Sequence, residues 1–498
     1  MTIQTNMRTR GAEPVLSKRN RARKASAVFA VIAATATALP AQTFTTLFSF
    51  DGVNGANPAP VLVQATDGNL YGTTNGGGTG LSPNAGTIFK ITPSGALTTL
   101  YNFCSQSACA DGYTPFAGLV QAFNGDLYGT TVNGGTGTGA GPGNYGTLFK
   151  ITPSGTLTTL YNFCSQSACA DGENPEAVLI QGANGDLYGT TFAGGTEGPP
   201  NGTAFQITPS GTLTTIANLN STDGGASQAG LVQAMDGDFY GTTTSGGTGD
   251  RGTVFKISAS GALTPLYNFC TLGADCADGD DPEAGLVQAT NGDFYGTTIK
   301  GGAHDGGTVF RITPAGALTT LYSFCTASGC ADGQLPDAGL VQATDGNFYG
   351  TTYLGGAHNV GTVFKITPGG RLTTLLSFDS TNGGKPLAGL MQATNGDFYG
   401  TTFTGGASNN GTVFSLSLGL APFVKTLPTA GAAGAAVQIL GTDLTGATSV
   451  TFDGTAAAFT VVSPSLITTR VPSGASTGTV QVVTPGGTLS SNVSFLVR

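Results

Sequence analysis

The tetrapeptide Tyr-Gly-Thr-Thr occurs seven times in this chain, beginning at Tyr71, Tyr128, Tyr188, Tyr240, Tyr295, Tyr349 and Tyr399. The copies lie 57, 60, 52, 55, 54 and 50 residues apart. A repeat of this length is one supersecondary unit, and units of this kind bury their apolar faces against their neighbours. The sixth copy shows the surroundings most clearly: GLVQATDGNFYGTTYLGG, followed by GTVFKITPGGRLTTLLSF. Glycine is abundant (80 residues), but it falls at fixed places between apolar runs, which points to turns and close packing rather than disorder.

Each repeat divides into four short strands, a to d. In the sixth, strand a is Leu340 to Ala343, and Asp345-Gly346 forms a tight hairpin turn. Strand b is Phe348 to Thr352, rich in aromatic and β-branched residues. Strand c is Thr362 to Thr367, and Pro368-Gly369-Gly370 turns the chain into strand d, Leu372 to Phe378. The array starts in mid-repeat: residues 43–50 match strand d with no a, b or c before them. It ends at Gly411 to Leu416, a strand c with no d after it. The first strand can therefore complete the last unit. The expected fold is all-β, a seven-bladed β-propeller over residues 42–419 with four strands per blade and the N-terminal strand closing the last blade. Residues 422–498 follow another pattern of short alternating strands, as in an immunoglobulin-like β-sandwich.

The FYGTT…GTVFKITP…LTTLYSF repeats resemble the GloVer tandem-repeat family of secreted bacterial proteins, also described as "choice-of-anchor". The tail resembles an IPT/TIG domain in its Pro428-Thr429-Ala430-Gly431 segment, its Ile439-Leu440-Gly441-Thr442 strand and its Val471-Pro472 step. The resemblance implies export and a surface role. It carries no catalytic residue over to this chain.

Residues 1–41 read as a signal peptide. Lys18, Arg19, Arg21, Arg23 and Lys24 precede a small, apolar run from Ala27 to Ala38 that is too short to span a bilayer. Without that segment the chain has twelve basic and 27 acidic residues, a net charge of −15. That balance disfavours nucleic acid and anionic membranes as partners. The expected protein is a monomer, secreted or held at the surface or in the periplasm of a bacterium, with no membrane span in its mature form.

The a–b and c–d turns are nearly uniform between repeats, whereas the b–c and d–a loops vary. Specificity is expected on the variable face. Eight cysteines form four local pairs in d–a loops: Cys104 with Cys109, Cys164 with Cys169, Cys270 with Cys276, and Cys325 with Cys330. In an exported chain these read as disulfides, each stabilising by roughly 2 kcal/mol; a zinc site lacks the ligand spacing. His304 and His358 occupy equivalent b–c loop positions, either as a binding pair or as two exposed residues of a duplicated repeat.

One position after the d–a proline holds Ala59, Phe116, Glu176, Gln228, Glu283, Asp337 and Leu387 in turn. It precedes the innermost strand, so Glu176, Glu283 and Asp337 are expected at the channel mouth, with Asp278, Asp280 and Asp281 adding charge nearby. Such acids can bind ligand, hold Ca²⁺, serve acid–base chemistry, or simply form a solvated rim. No other cofactor is implied, and no P-loop, dinucleotide fingerprint, nucleophile elbow or HExxH motif is present. The favoured reading is a non-enzymatic binding or adhesion protein that contacts extracellular protein or glycan. The alternatives are an extracellular polysaccharide hydrolase or lyase, and a structural envelope component.

Overall fold

The computed structural model describes residues 42–137, 144–197, 201–273 and 275–498. The signal-peptide reading falls on residues 1–41 and so lies outside them. The described residues are all-β apart from single 3₁₀ turns, and none of their helices is long and apolar enough to cross a membrane.

The repeats form seven antiparallel four-stranded sheets, six of them built from consecutive strands. In the sixth these are Val341–Gln342, Phe348–Thr352, Thr362–Ile366 and Leu372–Ser377. Strand a is shorter than its sequence suggests: two residues pair, and those before them turn towards the centre. The seventh sheet takes Met391–Gln392, Phe398–Thr402 and Thr412–Ser417 from the end of the array. Its fourth strand is Thr43–Ser49, paired from Thr43 opposite Ser417 to Ser49 opposite Thr412.

Every residue of the recurring tetrapeptide has its own task. The tyrosine ring is buried between sheets, and its hydroxyl engages the turn that precedes it. Tyr71, Tyr240 and Tyr349 donate to Asp67, Asp236 and Asp345, while Tyr128, Tyr188, Tyr295 and Tyr399 accept from the equivalent asparagines. The second threonine hydrogen-bonds a strand-c threonine across the hairpin, as in Thr352 with Thr362 at 2.8 Å.

The first threonine reaches the next unit. Thr73 donates to the Pro115 carbonyl and Thr351 to the Ala388 carbonyl; in the seventh unit Thr401 donates to those of Pro58 and Pro60 in the first. A strand-a glutamine adds a second connection between units. Gln121 accepts from the Thr66 amide, Gln181 from Phe123, Gln233 from Ala183, Gln288 from Met235, Gln342 from Thr290, Gln392 from Thr344, and Gln64 from Thr394. The seventh bond returns to the first unit. An apolar cluster spans the same junction, joining Phe50, Leu62, Leu70 and Phe89 to Met391, Tyr399 and Val413.

The four cysteine pairs expected from the d–a loops are disulfides. Cys104 is joined to Cys109, Cys164 to Cys169, Cys270 to Cys276, and Cys325 to Cys330, and no described cysteine is free. The second cysteine of each pair also closes the loop through its backbone. The carbonyls of Cys109, Cys169, Cys276 and Cys330 accept from the amides of Gly112, Gly172, Gly279 and Gly333 at 2.8–2.9 Å. Each pinched loop wraps a buried aspartate. Asp111 accepts from the Tyr101 hydroxyl and the Ser105 and Gln106 amides; Asp171 and Asp332 repeat the arrangement. Asp278 does the same with Tyr267, Thr271 and Leu272. It therefore holds its own loop together, and it does not line the cavity formed by the inner segments.

The C-terminal strands form two facing four-stranded sheets. One runs Lys425–Leu427, Ala436–Leu440, Leu466–Arg470, Phe459–Ser463; the other runs Thr455–Ala456, Ser449–Phe452, Val480–Thr484, Gly487–Ser490. Val437, Ile439, Ile467, Val450, Phe452 and Val482 fill the space between them. This tail rests on the a–b turn side of the array. Ser465 donates to the Thr66 carbonyl, Gln438 to that of Phe123, and the half-buried Lys425 to that of Gln392.

Candidate functional site

A d–a proline (Ser227 in the fourth unit) fixes the chain just before each inner strand. The residue after it is one of seven equivalents that meet in one cavity of about 280 Å³. Ala59, Phe116, Glu176, Gln228, Glu283, Asp337 and Leu387 all line it. The units follow one another around the array, so the lining is two-sided. Glu176, Gln228, Glu283 and Asp337 form a polar arc, and Leu387, Ala59 and Phe116 form an apolar one.

A second set of wall atoms comes from the backbone and is not evident from residue types. The inner segments approach so closely that a Cβ on Gly118, Gly230, Gly285, Gly339 or Gly389 would stand 2.9–3.1 Å from the carbonyl oxygen of Val61, Val178, Gly230, Gly285 or Gly339, respectively. At these five positions a side chain would press on the neighbouring backbone, whereas the first and third units carry Val61 and Val178 at the equivalent place. Among the described residues, none of those five carbonyls accepts a protein hydrogen bond. The Ala-Gly-Leu-Val-Gln wording of several inner strands marks the position, but it reads at first as a simple turn-to-strand step.

The acids are held in unlike ways. Glu176 accepts a 2.7 Å hydrogen bond from Gln228, while the carboxyls of Glu283 and Asp337 take no hydrogen bond or ion pair among the described residues. The nearby cations are engaged elsewhere: Lys300 pairs with Asp281 at 2.9 Å and Arg251 with Asp280 at 2.9 Å. Burial pushes Glu283 up to about 8, with the charges of Asp337, Asp281 and Glu176 adding and Lys300 partly offsetting. Burial, then the Asp281 charge, pushes Asp337 up to about 7. Burial also raises Glu176, and its Gln228 bond acts against the rise.

A stability trend follows. The folded protein keeps protons on Glu283 and Asp337 that the unfolded chain has released by about pH 5. This cluster therefore lowers stability progressively as pH rises from about 4 to 8. Glu283→Gln should be neutral near pH 4 and stabilising by on the order of 2 kcal/mol at pH 8, since solvent in the cavity relaxes part of the penalty. Urea unfolding of both proteins across that range checks it; a pH-independent difference would remove the cluster as the cause.

His304 and His358 sit exposed on their b–c loops and do not line the cavity. Among the described residues, the one group of His, Cys, Asp or Glu with ligand atoms within 4.8 Å of one another is Cys164, Cys169 and Glu173, and both sulfurs are committed to a disulfide. The three cavity acids are thus too far apart to close on one ion together.

The sequence pattern of the Gloeobacter/Verrucomicrobia repeat matches residues 18–141, 135–278 and 271–461. No curated protein matches the chain. Similar solved structures include the periplasmic gluconolactonase of Pseudomonas aeruginosa, with 17% identity, a TM-score of 0.41, and coverage of 70% of this chain and 96% of that one. An auxiliary nutrient binding protein from Bacteroides ovatus has 13% identity, a TM-score of 0.41 and coverage of 76% of both chains. Likeness at this level has no bearing on chemistry. The family match spans most of the chain, and the protein belongs to the Gloeobacter/Verrucomicrobia repeat family.

Proposed function

We propose that this is an exported, non-enzymatic binding protein whose ligand enters the channel mouth on the variable-loop side. In this reading the seven sheets are the blades of a closed β-propeller, the N-terminal strand completes the last blade, and residues 422–498 form an IPT/TIG-like immunoglobulin domain. The glutamine and threonine bonds that run from the seventh unit back to the first support closure. The facing sheets of the tail and their shared core support the second assignment. Four disulfides suit an oxidising compartment outside the cytoplasm.

The observation that carries the binding reading is the two-sided cavity, where seven equivalent positions meet with polar groups on one arc and apolar groups on the other. Ligand sites commonly combine an apolar wall with a few convergent polar groups. The test is a glycan, protein and small-metabolite array probed with the mature chain, alongside Glu283→Gln and Phe116→Ala. Binding that both substitutions weaken is expected; silence across the array sinks the reading.

A second reading has one specific observation behind it. Glu283, pushed up to about 8, and Asp337, pushed up to about 7, line the same cavity as Glu176, and a carboxyl with raised proton affinity can serve as a general acid near neutral pH. If the protein is a polysaccharide hydrolase or lyase, it will release new chain ends from a polysaccharide panel, and Glu283→Gln will abolish the release.

A further inference from the structure

We propose that the channel mouth takes an organic cation, a primary ammonium or guanidinium group carried on a compact apolar body. This deepens the channel-mouth binding reading and rests on it.

The argument begins with what the wall offers. Its side chains are Ala, Pro, Val, Leu and Phe, together with Glu176, Gln228, Glu283 and Asp337. No lysine, arginine, hydroxyl or histidine lines it. Its one side-chain amide, Gln228, is already directed at Glu176. The carboxyls of Glu283 and Asp337, by contrast, take no protein hydrogen bond and no ion pair among the described residues. A neutral sugar presents donors and acceptors in equal measure and brings no charge to set against the carboxylates. An ammonium or guanidinium group presents donors alone. It would also bring positive charge into contact with these carboxyls, whereas Lys300 and Arg251 are paired with Asp281 and Asp280.

The opposite arc decides between an organic cation and a bare ion. Phe116, Ala59 and Leu387 offer nothing to a hydrated metal, and the three acids do not close on one point. An apolar body beside Phe116 with its charged end towards Glu283 and Asp337 satisfies both arcs at once, and an aromatic face adds attraction for a nearby cation.

Proton linkage follows from the surroundings of Glu283, where Glu176, Asp337 and Asp281 disfavour its charge and Lys300 favours it. Asp280 and Arg251 complete the charged neighbourhood. A bound cation ionises the cluster, so affinity rises as protons leave.

The test is calorimetric titration of the mature protein at pH 6 and pH 8.5 with benzylammonium, its neutral analogue benzyl alcohol, and calcium chloride. The expected result is one benzylammonium per chain, bound about tenfold more tightly at pH 8.5. Glu283→Gln and, separately, Asp337→Asn should each weaken binding at least tenfold while thermal unfolding stays cooperative. Benzyl alcohol binding equally well, calcium occupying the same acids, or pH-independent affinity would each overturn the proposal. Benzylammonium silence together with an array ligand that Glu283→Gln abolishes would reject the ligand class and leave the site standing. An array ligand indifferent to both Glu283→Gln and Phe116→Ala would reject the site itself.

Discussion

Deletion of residues 42–49 is expected to destroy cooperative folding of the repeat array. The strand Thr43–Ser49 pairs along its length with Thr412–Ser417 and supplies the fourth strand of the seventh sheet. Phe44 packs 5.4 Å from the Phe414 ring and 6.2 Å from that of Phe378, while Leu47 and Phe48 cover the cluster that joins the last unit to the first. Each of these side chains contributes about 1–2 kcal/mol through burial, given that all three remain partly exposed. Adding the lost ladder, the deletion removes roughly 5 kcal/mol, which approaches the whole stability of many domains. It also leaves Thr412–Ser417 with an open edge, a template for association with other chains. Chemical unfolding should show a broad transition at a much lower midpoint, and light scattering should show aggregates. A synthetic peptide of residues 42–50 added in excess should restore the midpoint, because the lost strand is local and its site is preformed. An unchanged midpoint in the deletion would mean that the seam is held by other contacts.

The other contacts worth weighing there come from the tail. Lys425 bonds the Gln392 carbonyl in the seventh unit, Ser465 the Thr66 carbonyl in the first, and Gln438 the Phe123 carbonyl in the second. The tail thus straddles the junction that the N-terminal strand closes. Two devices at one seam make physical sense, since in the six other sheets strand d follows strand c through a covalent turn, whereas Thr43–Ser49 is held to Thr412–Ser417 without one.

The repeat made the fold legible. Tyr-Gly-Thr-Thr identifies strand b in each unit, and the unmatched half-repeats at the two ends point to the pairing seen between Thr43–Ser49 and Thr412–Ser417. The cysteine pairs were legible for a local reason: Cys104 and Cys109, Cys270 and Cys276, or Cys325 and Cys330 stand at the two ends of one short insertion, so no distant contact decides their partners. The meeting of Glu176, Glu283 and Asp337 could be anticipated because the innermost strand follows the d–a proline in every unit. What escaped were roles that depend on a neighbour one unit away. Gln121 looks like a surface residue in a short strand, yet it accepts from the Thr66 amide 55 residues earlier. Asp278 and Asp337 are both loop acids in sequence; one is satisfied by its own loop amides and the other faces a cavity with no partner. Local spacing does not separate them, because the difference lies in which groups surround each carboxyl after the loops close. Ion pairing shows the same limit: Lys256 pairs with Asp238 just ahead of strand b, whereas the equivalent Lys365 pairs with Asp345 in the turn, because Asn347 occupies the corresponding site.

Gly350→Ala is expected to destabilise by about 1–3 kcal/mol and Gly350→Val by more, although Gly350 lies in an ordinary strand conformation that any residue adopts. The reason is space. A Cβ there would stand 2.6 Å from the Phe364 ring and 2.9 Å from a Leu340 methyl, and both side chains are buried. Gly72, Gly129, Gly189, Gly241, Gly296 and Gly400 meet the equivalent phenylalanine at 2.6–2.7 Å, so the restriction is built into every unit. The ring has no free volume to retreat into, because Phe324 lies edge-on to Phe364 at 5.2 Å. A double-mutant cycle isolates this cause. Phe364→Leu alone should cost stability by leaving a cavity, yet combined with Gly350→Ala it should recover part of the loss, since the new methyl group fills the vacated space. Gly346 is the control: it has a positive φ of 77° and nothing within 4 Å of its Cβ, so Gly346→Ala should cost only about 1 kcal/mol of backbone strain and show no coupling to Phe364. If Gly350→Ala and Phe364→Leu instead add independently, the glycine is kept for its backbone and not for the ring that packs against it.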